Sequence, residues 1–96
     1  MKIKVCRING IDTIDAEEIK TDSNLRFFIH WNRCYGSIEK YAITEYTSGH
    51  RCLWGNNKKK LIQRLHERLK KYKSSNYLLA RAKKITINNG FNYPVN

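Results

Sequence analysis

The run GNNKKKLIQRLHERLKKYK, residues 55–73, most constrains what this chain can fold into. At about 100° per residue, Leu61, Ile62, Leu65, Leu69 and Tyr72 fall within one apolar arc of roughly 100°. Asn56 or Asn57 suits the N-cap, where a side-chain oxygen accepts a free backbone N–H. Lys60, Arg64 and Lys71 gather on the far side of the helix, with Arg68 at the edge. A helix with one apolar stripe needs an apolar surface to lie on. The residues before it must supply that surface.

The start of this helix is electrostatically unusual. Lys58, Lys59 and Lys60 stand where the helix dipole is positive and favours Asp or Glu, and each Lys there costs a few tenths of a kcal/mol. At helical spacing Lys58 falls over the apolar arc, while Lys59 and Lys60 point outward. An anionic partner would reverse the balance, because backbone N–H groups at a helix start already form a site for phosphate.

The first half of the chain reads as strands. KIKVCRI, residues 2–8, alternates and meets Asn9-Gly10, a strong hairpin signal. This predicts a hairpin of 2–8 with 11–14. Asp15 followed by Glu18 resembles a capping box, so AEEIK is expected to form a helical turn. LRFFIHW, residues 25–31, is β-branched and aromatic without Gly or Pro, as strands prefer. IEKYAITEY (38–46) and RCLW (51–54) are the next two strands. With Ser48-Gly49 as a two-residue loop, Tyr46 faces Arg51, Glu45 faces Cys52 and Ile43 faces Trp54. Ile43, Cys52 and Trp54 then share the core face, and Arg51 lies over the Tyr46 ring.

After SSN, the stretch YLLARAKKI, residues 77–85, predicts a second, shorter helix. Residues 86–96 form a terminal hairpin around Asn89-Gly90 or a frayed tail. No repeat or linker divides the chain. The expected fold is one α+β domain over 1–96, with an N-terminal antiparallel sheet packed on one long and one short helix.

Charge narrows the function. The 96 residues carry a formal net charge of +11, beyond what solubility needs. Residues 1–22 hold four basic and five acidic groups, whereas 23–96 hold fifteen and three. Residues 58–84 hold eleven basic groups against Glu67 alone. Such asymmetry steers a protein toward polyanions. The acidic stretch from Asp12 to Asp22 is read as solvated surface or as an internal partner for the basic face. The start alternates rather than forming a signal peptide, and no apolar run reaches membrane-spanning length. Three cysteines in no disulfide pattern fit free thiols in a reducing cytoplasm.

Other chemistries fit less well. His30, Cys34, His50 and Cys52 form H-x3-C and H-x-C pairs, without the spacing usual for zinc, so buried thiols and incidental histidines are the simpler reading. The carboxylates of 12–22 are contiguous rather than converging from strands, which fits a metal nuclease poorly. No cofactor motif is present, and no enzyme is expected. Tyr35, Tyr41, Tyr46, Trp54, Tyr72 and Tyr77 lie near basic residues and could stack bases. Trp31, Trp54, Phe27 and Phe28 are most simply core residues.

The stretch YAITEYTSGHRCLWGNNKKKLIQRLHERL resembles a pattern in small phage and prophage proteins. There a strand, a Ser-Gly turn and a second strand lead into a basic amphipathic helix. Tyr46, Ser48, Gly49, Gly55, Lys58, Lys59, Ile62 and Leu69 carry the likeness, within about residues 41–70. The resemblance implies a mobile-element origin. It also implies one of two roles: binding nucleic acid, or inhibiting a host nucleic-acid enzyme in the manner of anti-CRISPR proteins. The expected contact set is Lys58, Lys59, Lys60, Arg64, Lys71, Arg51 and Arg68. Its partner is DNA or RNA, or the nucleic-acid site of a host enzyme.

Overall fold

A computed structural model describes residues 1–7, 10–32, 38–72 and 96. The strands are β1 (Lys2–Arg7), β2 (Gly10–Asp15), β3 (Glu17–Ile19), β4 (Phe27–Trp31), β5 (Tyr41–Glu45) and β6 (Arg51–Gly55). They precede helix α1 (Lys58–Tyr72). β1 and β2 form a two-stranded sheet, and the other four form an antiparallel sheet in the order β3-β4-β5-β6. The chain is α+β. The helix expected at 77–85 and the terminal hairpin or tail lie outside the described residues, apart from Asn96.

Alternation along β4 divides the interior in two. Successive strand residues point to opposite faces. Phe27 and Ile29 join Ile19, Ile43 and Leu53 beneath Leu61 and Leu65 of α1. Phe28 faces the other way and packs with Ile3, Val5 and Ala16 from the β1–β2 side. The four-stranded sheet is thus the middle of three layers, with the helix on one face and the hairpin on the other. The helical arc fits its place: Leu61 and Leu65 are buried, while Ile62 and Leu69 are partly so. Asn57 is the N-cap, its Oδ1 accepting from the Lys60 amide at 3.0 Å. Asn56 instead accepts from the Lys40 amide at 2.9 Å.

The hairpin is held to the β5–β6 turn by backbone contact. The Cys6 amide donates to Gly49 O at 2.8 Å, and the Cys6 thiol donates to Ser48 O at 3.2 Å. Gly49 has φ +71°, and a Cβ there would lie 2.9 Å from Lys4 O. Only glycine meets both conditions without strain. The Lys4 amide, on the same outer edge of β1, donates to Asn96 Oδ1 at 2.9 Å.

Several expectations are corrected. Residues 17–19 are a strand rather than a helical turn, because Ile19 supplies the core beside Phe27 and the segment pairs with β4. The pairing of the first hairpin is shifted along the chain, with Cys6 opposite Ile11 and Arg7 opposite Gly10, so Gly10 begins β2 instead of lying between the strands. The β5–β6 connection is longer than two residues. The Glu45 carboxylate accepts from the Thr47 and Ser48 amides at 2.9 and 2.7 Å and from Ser48 Oγ at 2.7 Å. This widens the turn, and the Gly49 amide closes it on Glu45 O at 2.9 Å.

The register follows from that turn. Ile43 opposes Leu53, Ala42 opposes Trp54 and Thr44 opposes Arg51, with an irregularity at Ile43/Thr44. Leu53 takes the core place expected for Trp54, which is 38% exposed. Arg26, not Arg51, lies over Tyr46, its guanidinium 4.5 Å from the ring centre and 5.3 Å from that of Phe28.

Candidate functional site

α1 gathers most of the expected contact set. At 100° per residue, Lys59, Lys60, Arg64, Lys70 and Lys71 occupy its outward half, and all five are exposed. His66, Gln63 and Glu67 lie among them, with Glu67 the one carboxylate of the helix. Arg64 is steadied by donating to Trp54 O at 3.1 Å. Arg68 is half-buried at the margin of the face, as its edge position required. Lys70 completes the face beside Lys59. Its place on the helical wheel could have shown this from sequence.

Lys58 departs from the face. Its Nζ reaches Glu17 at 2.7 Å, which ties the helix start to β3. The hydrogen bond, backed by opposite charge, holds the Glu17 carboxyl below its ordinary value and the Lys58 ammonium above its own. Other carboxylates of the acidic stretch are also engaged internally. Arg7 holds Asp12 at 3.0 Å, and Arg26 holds Glu18 at 2.9 Å. Such exposed pairs contribute little stability. They do withdraw these carboxylates from competition for the helix face.

Arg51 is separated from α1. It opposes Thr44 on β5 and so belongs to the sheet face turned from the helix. Its charge is felt by Cys6, His30 and His50 instead. These residues surround a buried polar region at the β5–β6 turn. Glu45, whose charge acts on His50, is fully buried. The His30 Nδ1 lies 2.8 Å from Trp31 O, and its Nε2 lies 2.6 Å from Thr44 Oγ1. A carbonyl only accepts, so Nδ1 carries the proton and Nε2 accepts from the Thr44 hydroxyl. Burial above all, with the Arg51 and Arg7 charges, lowers the His30 pKa against the opposing pull of the Trp31 carbonyl. Burial and Arg51 likewise lower the His50 pKa. His50 Nε2 and Arg51 Nη1 are buried without hydrogen-bond partners.

Among the described residues, His30, His50 and Cys52 do not come together as a metal site. His30 is committed to Trp31 and Thr44, Cys52 lies beside the β5–β6 irregularity with its thiol 3.4 Å from Ile43 O, and Cys34 lies outside the described residues. Among the described residues no three His, Cys, Asp or Glu side chains converge as a metal site would need.

A second surface was hidden in the sequence. Trp31, expected in the core, is 58% exposed at the end of β4. It stacks on Tyr41 with ring centres 5.0 Å apart and planes inclined at 22°. Phe27 and Phe28, also assigned to the core, are fully buried. Trp31 has the same strand parity as Ile29 but lies past the end of the helix cover. Two clefts of about 260 and 270 Å³ meet at it. Asp15, Glu17, Tyr41 and Lys58 line the first. Lys2, Asp12 and Asp15 line the second.

Among the described residues no helix is long and apolar enough to cross a membrane. Comparison with protein-family models, with curated proteins and with solved structures finds no match to this chain.

Proposed function

We propose that this protein is a non-enzymatic nucleic-acid binder that lays the outward face of α1 along a phosphate backbone. The supporting observation is the composition of that face. Lys59, Lys60, Arg64, Lys70 and Lys71 are exposed there with Glu67 as the only carboxylate. Asp12, Glu18 and Glu17 are bound to Arg7, Arg26 and Lys58 rather than to this face. Arg51 is not part of this contact set, and Lys58 serves it only from the flank. Binding of this kind gains most of its free energy from counterion release and reads little sequence. The setting proposed is the reducing cytoplasm of a host cell carrying a mobile element, where Cys6 and Cys52 stay as thiols.

The test is fluorescence anisotropy of a labelled oligonucleotide as salt rises from about 50 to 200 mM. Five phosphate contacts predict an affinity loss of roughly 100- to 500-fold. The Lys59→Glu, Lys60→Glu double variant should weaken binding at every salt and flatten the slope by about two contacts. Absence of binding at the lowest salt would sink the proposal. A pull-down from host lysate extends the test. Partners lost on nuclease treatment support nucleic acid. A protein partner that survives the treatment, without oligonucleotide binding by the isolated chain, would make the same face an inhibitor's grip on a host nucleic-acid enzyme.

A further inference from the structure

We propose that Trp31 is a stacking platform for an unpaired nucleobase, so that the preferred ligand is single-stranded. We further propose that Asp15 favours bases carrying an exocyclic amino group. The polymer part of this inference rests on the nucleic-acid reading above. The base site itself stands on different residues.

Three observations converge. The first is the ring. Trp31 is supported by Tyr41 at 5.0 Å, so a side chain that is 58% exposed is held in place rather than loose on the surface. A supported, solvent-facing indole loses little freedom when a base settles on it, and base–aromatic stacking tolerates any base.

The second is the space. Two clefts of about 260 and 270 Å³ adjoin the indole. Each is smaller than the roughly 300–1,000 Å³ of a pocket for a whole small molecule. That size suits one planar group entering from a larger ligand. In a duplex the bases are already stacked and paired, so only an unpaired or extruded base could enter.

The third is charge. Glu17 is bound to Lys58 and Asp12 to Arg7, while Asp15, shared by both clefts, has no ion pair among the described residues. A carboxylate can accept from an exocyclic amine of a base, as acidic side chains do with cytosine N4. Lys2 lines one cleft, and Lys58, paired with Glu17, lines the other. A cationic side chain from a partner would meet these lysines and a net charge of +11. A neutral base escapes that repulsion. Lys58 also joins this site to the start of α1, so one strand could pass from the helix face onto the indole.

The chain has two tryptophans, so a Trp54→Phe background leaves Trp31 as the only indole reporter. In that background, cytidine, thymidine, dC10, dT10 and a ten-base-pair duplex are titrated separately. Trp31 emission should be quenched by cytidine more readily than by thymidine, and by dC10. Trp31→Ala should weaken dC10 binding by roughly 5- to 150-fold, read by anisotropy of the labelled strand, and leave duplex affinity unchanged. Trp31→Phe should keep most of the affinity. Asp15→Asn should reduce the preference for dC10 over dT10 while quenching persists.

Salt-dependent binding that Trp31→Ala does not alter, with no quenching by cytidine, overturns this inference and leaves the helix reading standing. Cytidine quenching in a protein that shows no salt-dependent polymer binding supports the base site and overturns the helix reading. Quenching by arginine amide but not by cytidine overturns the inference and makes the clefts a cation site.

Discussion

Removing the Glu45 carboxylate would strand three donors: the Thr47 amide, the Ser48 amide and the Ser48 hydroxyl. Buried donors left without a partner carry the full cost of desolvation. Glu45→Ala should therefore lower unfolding stability by at least about 2 kcal/mol, measured by urea titration. Glu45→Gln keeps one oxygen as an acceptor and should lose less. Equal stability of all three proteins would show that the turn does not depend on the carboxylate. The nearby histidines set a pH dependence. His30 and His50 have folded-state pKa values below their ordinary 6.5, so the unfolded chain takes up protons first. Their contribution is complete above that value and is lost as pH falls below it toward the folded-state values. Urea midpoints should be level above about pH 7 and decline below about pH 6.5. His30→Gln should make the decline shallower. A midpoint that rises on acidification would contradict this assignment.

Elements differed in how far their sequences disclosed them. α1 was legible because its apolar residues repeat at helical spacing and Asn57 caps it, both local properties. β3 was not. Asp15 and Glu18 have capping-box spacing, yet Ile19 is needed in the core, and that demand comes from strands that follow it in the chain. The β5–β6 register was obscured by a side chain, since Glu45 binds the turn and moves Leu53 into the place assigned to Trp54. Trp31 was misplaced because its exposure depends on where α1 begins, not on its neighbours in β4. The basic face was legible as charge on a helix, whereas the loss of Arg51 from it required knowing which face of β6 turns inward. At this scale the Lys59→Glu, Lys60→Glu variant has two separable effects. Acidic groups near the helix start should raise thermal stability by a few tenths of a kcal/mol each, while affinity for nucleic acid falls. A variant that loses both stability and affinity would point to damage in the fold instead.

Across the whole molecule, charge is segregated by internal pairing. Asp12, Glu18 and Glu17 of the acidic stretch are bound to Arg7, Arg26 and Lys58, and the outward half of α1 carries five basic residues against Glu67. The sheet sits between this charged layer and the hairpin, and the hairpin's own attachment has a consequence for kinetics. β1 and β2 can pair as soon as both are made, because they are adjacent in sequence. Their docking must wait for Gly49, more than forty residues beyond Cys6, and contacts that close long loops form slowly. The Cys6 amide points away from β2 and reports that docking alone. Its hydrogen should exchange through an opening that leaves the four-stranded sheet intact, faster than the amides of β4 and β5 and faster still in Gly49→Ala. Exchange at one common rate for all of these amides would mean that hairpin and sheet open together. If the rates separate, the hairpin is a distinct cooperative unit, able to undock and return many times within the lifetime of the folded sheet.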